Sequence, residues 1–202
     1  MLDFIVTFII FIFSVILHEV THGIVADKLG DPTARQQGRL TLNPLAHLDP
    51  LGSIALPFFL LFLNFIGIPT VIFGWAKPVP YNPLNFKNLK KDILKVALAG
   101  PISNLLLATI FSLIYRLGIL PYAEEILKEI VYINILLGIF NLLPIPPLDG
   151  SKILFLFLPR GKEYLMFYLE VYGFLLIFVF IFLFWPIIKI LVNLVFYLLV
   201  GF

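Results

Sequence analysis

The chain contains no cysteine, which removes thiolate metal sites, thiol nucleophiles and disulfides at once. Charge is also scarce. Charged residues make up 13% of 202 residues, against about 25% in a soluble globule. Histidine occurs only three times, so imidazole chemistry has few places to be. A formal net charge of +2 gives no basis for nucleic-acid binding. What fills the chain is apolar: 61% hydrophobic residues, including 22 Phe, with a mean hydropathy of +1.05. Several runs approach or exceed the roughly 18 apolar residues that mark a membrane-spanning helix. The expected class is an all-α polytopic membrane protein, one domain over residues 1–202, with the lipid bilayer as its principal solvent.

Two of the three histidines stand together. Phe4 to Leu17 carries no charge, and His18, Glu19 and His22 follow directly in the same apolar segment, IIFIFSVILHEVTHGIVAD. A charged group at the centre of a membrane helix costs roughly 2.5–3.5 kcal/mol on the lenient insertion scale, so such a cluster needs a partner or a purpose. His18 and His22 are one helical turn apart and leave the same face, where both can bind one metal. Glu19 lies about 100° further round, beside that metal without displacing a ligand. This is the HExxH pattern: two zinc ligands and a carboxylate able to take a proton from the attacking water.

The rest of the chain reads as follows. A first helix covers about Leu2 to Lys28. A polar connection with Gly-Asp-Pro, Asn-Pro and Asp-Pro turns spans residues 27–50, and GRLTL (38–42) within it has the pattern of a short strand. Residues 51–73 are apolar but broken at Pro57, Asn64, Gly67 and Pro69, and GWAKPVPYNP (74–83) is too rich in proline for helix. Helices are then expected at about 93–117 and from near Ile130. A Phe-rich span near 165–185 follows, and after Pro186 a separate short segment over 190–202. The total is about five to six membrane segments, with a core over about 4–154 and additional C-terminal segments over about 165–202.

Five lysines between 77 and 95 face a single Asp92, which places that loop on the cytoplasmic side. If the site lies near the cytoplasmic surface, the first helix must end on that side too. The stretch 51–73 must then make an even number of crossings, as a re-entrant half-helix with an extended, β-like return through about residue 83. The expected location is the plasma membrane, with the site nearer its cytoplasmic side.

A catalytic zinc needs a third protein ligand and one open position. Asp149 stands out among the acidic residues because it closes an apolar helix beside Pro144, Pro146 and Pro147, which can turn a carboxylate back into the bundle. It could equally cap the turn before Ser151. Asn141, eight residues earlier, could hold a substrate backbone or make an interhelical contact, and the same choice applies to Asn104.

HEVTHG (18–23) together with NLLPIPPLDG (141–150) resembles the site-2 protease family of intramembrane zinc metalloproteases. GRLTLNPLAHLDPLG (38–52), FGWAKPVPYNP (73–83) and AGPISN (99–104) resemble its short, compact members, without a PDZ or CBS domain. The resemblance implies one Zn2+ per chain held by His18, His22 and Asp149, Glu19 as general base, and a transmembrane protein as substrate. His47 falls inside a resembling stretch, but three ligands complete the family's site, which leaves it a loop-fixing or gating role. GWAKPVP could pair by strand addition with an unwound substrate helix, with Lys77 close by or anchored at the headgroups. The rivals are a metal-binding membrane transporter, a non-catalytic scaffold for transmembrane helices, and an HExxH protease whose third ligand is a glutamate such as Glu163.

Overall fold

The computed structural model describes residues 2–68, 76–159 and 163–201, apart from the side chains at 2–4, 54, 57, 163 and 174. Every regular element among the described residues is helical: α1 (Leu2–Lys28), α2 (Thr33–Gln36), α3 (Leu56–Phe65), α4 (Leu89–Arg116), α5 (Glu124–Asn141), α6 (Asp149–Leu156) and α7 (Glu163–Val200), with single turns of tighter or wider helix between them. Among the described residues, three stretches are long and apolar enough to cross a membrane, Ile5–Lys28, Leu89–Arg116 and Leu175–Val200. That is fewer than the five to six expected. α3 is only ten residues long, and α5 opens with Glu124, Glu125, Lys128 and Glu129.

Contacts fix the helix directions. Asn104 of α4 donates to the Ser14 carbonyl of α1, and His22 of α1 meets the Val96 carbonyl of α4, so these helices run antiparallel. Thr7 bonds Glu129 and Ser14 bonds Asn134, so α1 and α5 run parallel. Arg116 at the end of α4 donates to the Leu198 carbonyl at 2.7 Å, while Gly173 of α7 packs directly on Pro146. α7 therefore runs with α4. The C-terminal ends of α1 and α5 and the N-terminal end of α4 share one end of the bundle. Ala108, Val131, Ile135, Ile188 and Val192 form the buried core where α4, α5 and α7 meet.

Residues 29–88 leave that shared end and return to it, as parity required. Asp31 is fully buried and holds the two ends of this excursion together. It accepts from the Thr33 hydroxyl, the Asn82 N–H at 2.7 Å and the Asn85 side-chain N–H at 2.7 Å. Burial pushes its carboxyl pKa up, but the hydrogen bonds from Thr33, Asn85 and Asn82 outweigh that and hold it below its ordinary value.

Several expectations are corrected. GRLTL (38–42) forms no strand; Arg39 turns inward and donates to the carbonyls of Lys77 and Pro78. Residues 76–80 form no regular element and pair in no ladder among the described residues; Pro78 and Pro80 have no N–H to offer one. The return 69–75, including Gly74 and Trp75, lies outside the described residues. α4 starts earlier than 93 because the Asn88 side chain accepts from the Lys91 N–H and caps it. α5 starts before Ile130, with Glu124 and Glu125 against its positive N-terminal end. Pro186 does not divide the C-terminal region: α7 runs unbroken over 38 residues. Ending a helix among apolar side chains would strand several backbone groups, whereas an internal proline forfeits one hydrogen bond.

Candidate active site

α1 projects His18 and His22 from one face, with ring centroids 4.7 Å apart and nearly perpendicular planes. Both are buried, as is Asp149. The chain reaches Asp149 by ending α5 at Asn141 and turning through three prolines. Gly150 lies so close to the end of α5 that a Cβ there would overlap the carbonyl oxygens of Leu142 and Leu143. Asp149 is the first residue of α6 rather than the last of the preceding helix, and it makes no capping bond. The Ser151 N–H goes to the Leu148 carbonyl instead, so the capping alternative is set aside.

The Asp149 Oδ2 lies 3.0 Å from His18 Nε2 and 2.9 Å from His22 Nε2, and the two Nε2 atoms are 3.1 Å apart. Among the described residues this is the group of His, Asp and Glu side chains placed to hold a metal ion. The atoms behind the imidazoles decide what the triangle can bind. His22 Nδ1 faces the Val96 carbonyl at 2.6 Å, which only accepts, so Nδ1 carries the proton. For His18 the assignment passes through two asparagines. The Ile130 carbonyl and the Ser14 hydroxyl orient the Asn134 amide nitrogen, so its Oδ1 accepts from Asn104 Nδ2 at 2.9 Å. That leaves Asn104 Oδ1 to accept from His18 Nδ1 at 2.6 Å. With Nδ1 carrying the proton, each ring in its neutral form directs an Nε2 lone pair at a carboxylate oxygen. Three lone-pair atoms this close repel unless a cation lies among them. Their separations approach the roughly 3.3 Å edges of a tetrahedron with bonds of 2.0–2.1 Å to nitrogen and oxygen, which is the zinc geometry. The donor set fits zinc, and hydrogen-bonded Nδ1 atoms are the usual support for such ligands.

Gly100 makes room for this arrangement. A Cβ there would fall against His22 Nε2 and within 2.5 Å of His18 Nε2. The glycine of AGPISN is thus the floor on which both imidazoles rest.

A cavity of about 440 Å³ opens on the triangle, lined by His18, Glu19, His22, Asn141, Asp149, Lys152 and residues 78–81, among others. Glu19 Oε2 accepts from the Val79 N–H at 2.9 Å. Asn141 lines the cavity, with its amide nitrogen bonded to the Leu137 carbonyl of its own helix. His47 does not join the triangle. It is buried, donates from Nε2 to the Thr41 carbonyl at 2.8 Å, and accepts Lys77 N–H at its own carbonyl. These bonds tie together the backbone at residues 41, 47 and 77. The Lys77 side chain is exposed and is not part of the cavity lining. With the Lys77, Val79 and Asn82 N–H groups engaged and prolines at 78 and 80, residues 77–80 offer a pairing strand acceptors but no free donors. The Glu163 side chain lies outside the described parts.

Four participants were not singled out from the sequence. Lys152 had a legible signal, one turn after Asp149. Ser14 and Asn134 are polar residues inside apolar helices, which are functional candidates by default. Gly100 sat within a quoted motif, but only the fold shows what it faces.

Residues 120–185 match the model of peptidase family M50. YwhC of Bacillus subtilis, provisionally named a zinc metalloprotease, is 40% identical over 176 residues, covering 81% of this chain and 74% of its own. Rip2 of Mycolicibacterium smegmatis, named in the same terms, is 34% identical over 140 residues, covering 68% of this chain and 51% of its own. The chain thus spans about three quarters of the first relative and half of the second. No solved structure gives a significant match.

Proposed function

Since the chain belongs to peptidase family M50, the site-2 proteases, and is a zinc-dependent peptidase of the membrane, we propose that it cuts a transmembrane segment of another membrane protein, with His18, His22 and Asp149 holding one zinc ion per chain. The observation that carries this reading is the convergence of three potential ligand atoms with a second carboxylate, Glu19, in one cavity. Zinc bound there would supply a Lewis acid that makes water acidic enough to attack at neutral pH and polarises the scissile carbonyl.

The remaining work falls to the chain's own residues. Val79 N–H holds one Glu19 oxygen, and the other accepts the proton of the attacking water. Glu19 then returns that proton to the departing amine. The Val96 and Asn104 acceptors keep both imidazoles in the tautomer that points Nε2 at the site. Asn141, at the cavity wall, binds the substrate backbone. A transmembrane helix has its carbonyls hydrogen-bonded, so the cut requires local unwinding, which glycine and proline in the substrate favour.

The lysine-rich stretch 77–95 lies at the end of the bundle nearer the site, which supports a site nearer the cytoplasmic side of the plasma membrane under the positive-inside rule. His18 is ten residues from Lys28, roughly 15 Å along a helix. Water enters through the cavity bounded by 78–81. α5 within the bundle and the apolar, largely exposed α3 complete the membrane-embedded part. The test is incubation of purified protein with single-pass substrates, with and without chelator, followed by mass determination of the products. Chelator-sensitive cuts inside the apolar segment support the reading. Zinc flux in proteoliposomes without cleavage would make it a transporter.

A further inference from the structure

The two oxygens of Asp149 are used differently. Oδ2 faces both imidazoles, whereas Oδ1 accepts a hydrogen bond from Lys152 Nζ at 2.9 Å. Lys152 stands one turn further along α6, so the helix sets its approach, and its ammonium also lies over the Tyr81 ring, 5.5 Å from the centroid. The lysine is thus held between a carboxylate and an aromatic face, both of which line the cavity.

Two other lysines make the same i,i+3 pairing, and they show what an ordinary one looks like. Lys95–Asp92 has a side chain 58% exposed on its lysine, and Lys128–Glu125 has one 87% exposed on its glutamate. Those are solvated pairs of the kind that contribute little. Asp92 is as buried as Asp149, at 6% against 7%, but each of those pairs has one member more than half exposed, whereas Lys152 is 32% exposed and the other Asp149 oxygen completes the triangle. A charge-assisted bond in such surroundings is short, directional and costly to break.

A carboxylate free to turn about its terminal bond can present both oxygens to one cation. Beside two imidazoles, that would take the position a catalytic site must leave open for water. We infer that Lys152 is a positioning residue: by occupying Oδ1 it keeps Asp149 a one-oxygen ligand and so preserves the open position. This role rests on the reading of His18, His22 and Asp149 as the metal site. The ring of Tyr81 keeps the lysine from swinging out to solvent, through a cation–π contact.

The test uses the purified full chain reconstituted with Co2+, whose visible d–d bands are strong in four-coordinate sites and weaken as coordination rises. Wild type gives strong bands. Lys152→Met and Lys152→Leu, each checked for retained helicity and a cooperative melt, give weaker bands, and chelator competition shows apparent metal affinity changed by about tenfold, as is typical when an outer partner of a ligand is removed. Lys152→Arg, which also donates to Oδ1, restores the strong bands. Neutral variants with wild-type bands and affinity within twofold overturn the role of Lys152 while leaving the metal site standing. A wild type that takes up no metal overturns both.

Discussion

Gly100→Ala adds one methyl group at the point where the site has no slack. The new Cβ would lie 2.5 Å from His18 Nε2 and against His22 Nε2, while ordinary van der Waals contact begins at 3.4 Å. Relief therefore requires a displacement of 3.4 − 2.5, or about 0.9 Å, by an imidazole or by α4 itself. Metal–ligand distances tolerate about ±0.2 Å, so the shift exceeds the tolerance several-fold. Neither ring can simply rotate away. His22 is held by the Val96 carbonyl and His18 by Asn104, each at 2.6 Å. The expected outcome is zinc content well below one tenth of wild type and no detectable proteolysis. The fold should lose only the 1–3 kcal/mol typical of overpacking. Elemental analysis of purified protein, with a thermal melt in the same detergent, separates the two effects. Full zinc content in a folded Gly100→Ala protein would refute the reasoning.

Glu19→Gln removes the proton acceptor but no ligand, so zinc content should stay at the wild-type level while cleavage falls below detection. Asn134→Leu cuts the chain of amides that orients Asn104 and hence His18, and should weaken zinc binding about tenfold, read by chelator competition. Asp31→Asn should destabilise the protein by about 1–3 kcal/mol, because charged hydrogen bonds between residues 31–33 and 82–85 are lost. The carboxyl pKa of Asp31 is depressed in the folded state. Its stabilisation is therefore present at neutral pH and disappears as pH falls below about 4 and through the depressed value. Melts at pH 7 should separate wild type from Asp31→Asn clearly, and melts in strong acid should bring them together; an equal gap at both would contradict the role given to Asp31.

What the sequence made legible was local and periodic. α1 could be read to its ends because the apolar run is uninterrupted and Asp27 and Lys28 close it. The neighbourhood of His18 and His22 follows from helical spacing alone. That residues 29–88 return to their starting end could be worked out from loop charge and depth. The failures were of a different kind. Proline invites a break at position 186, yet apolar surroundings make continuation cheaper, so two expected segments are one helix. GRLTL alternates like a strand, but it joins no ladder among the described residues, and Arg39 folds inward to bond the carbonyls of Lys77 and Pro78. Residues 76–80 form no regular element, and Pro78 and Pro80 have no N–H to offer a ladder. Lys152, Asn134 and Gly100 act through neighbours far away in the chain, and no periodicity shows which polar or small residue will face a site.

The central claim is that α1 and the start of α6, 127 residues apart between His22 and Asp149, close on one zinc ion. Zinc per chain, measured by elemental analysis on wild type, Asp149→Ala and Glu163→Ala, tests it most directly. About one zinc is expected in wild type and in Glu163→Ala, and close to none in Asp149→Ala. Zinc retained without the Asp149 carboxylate, or lost on removing that of Glu163, would contradict it.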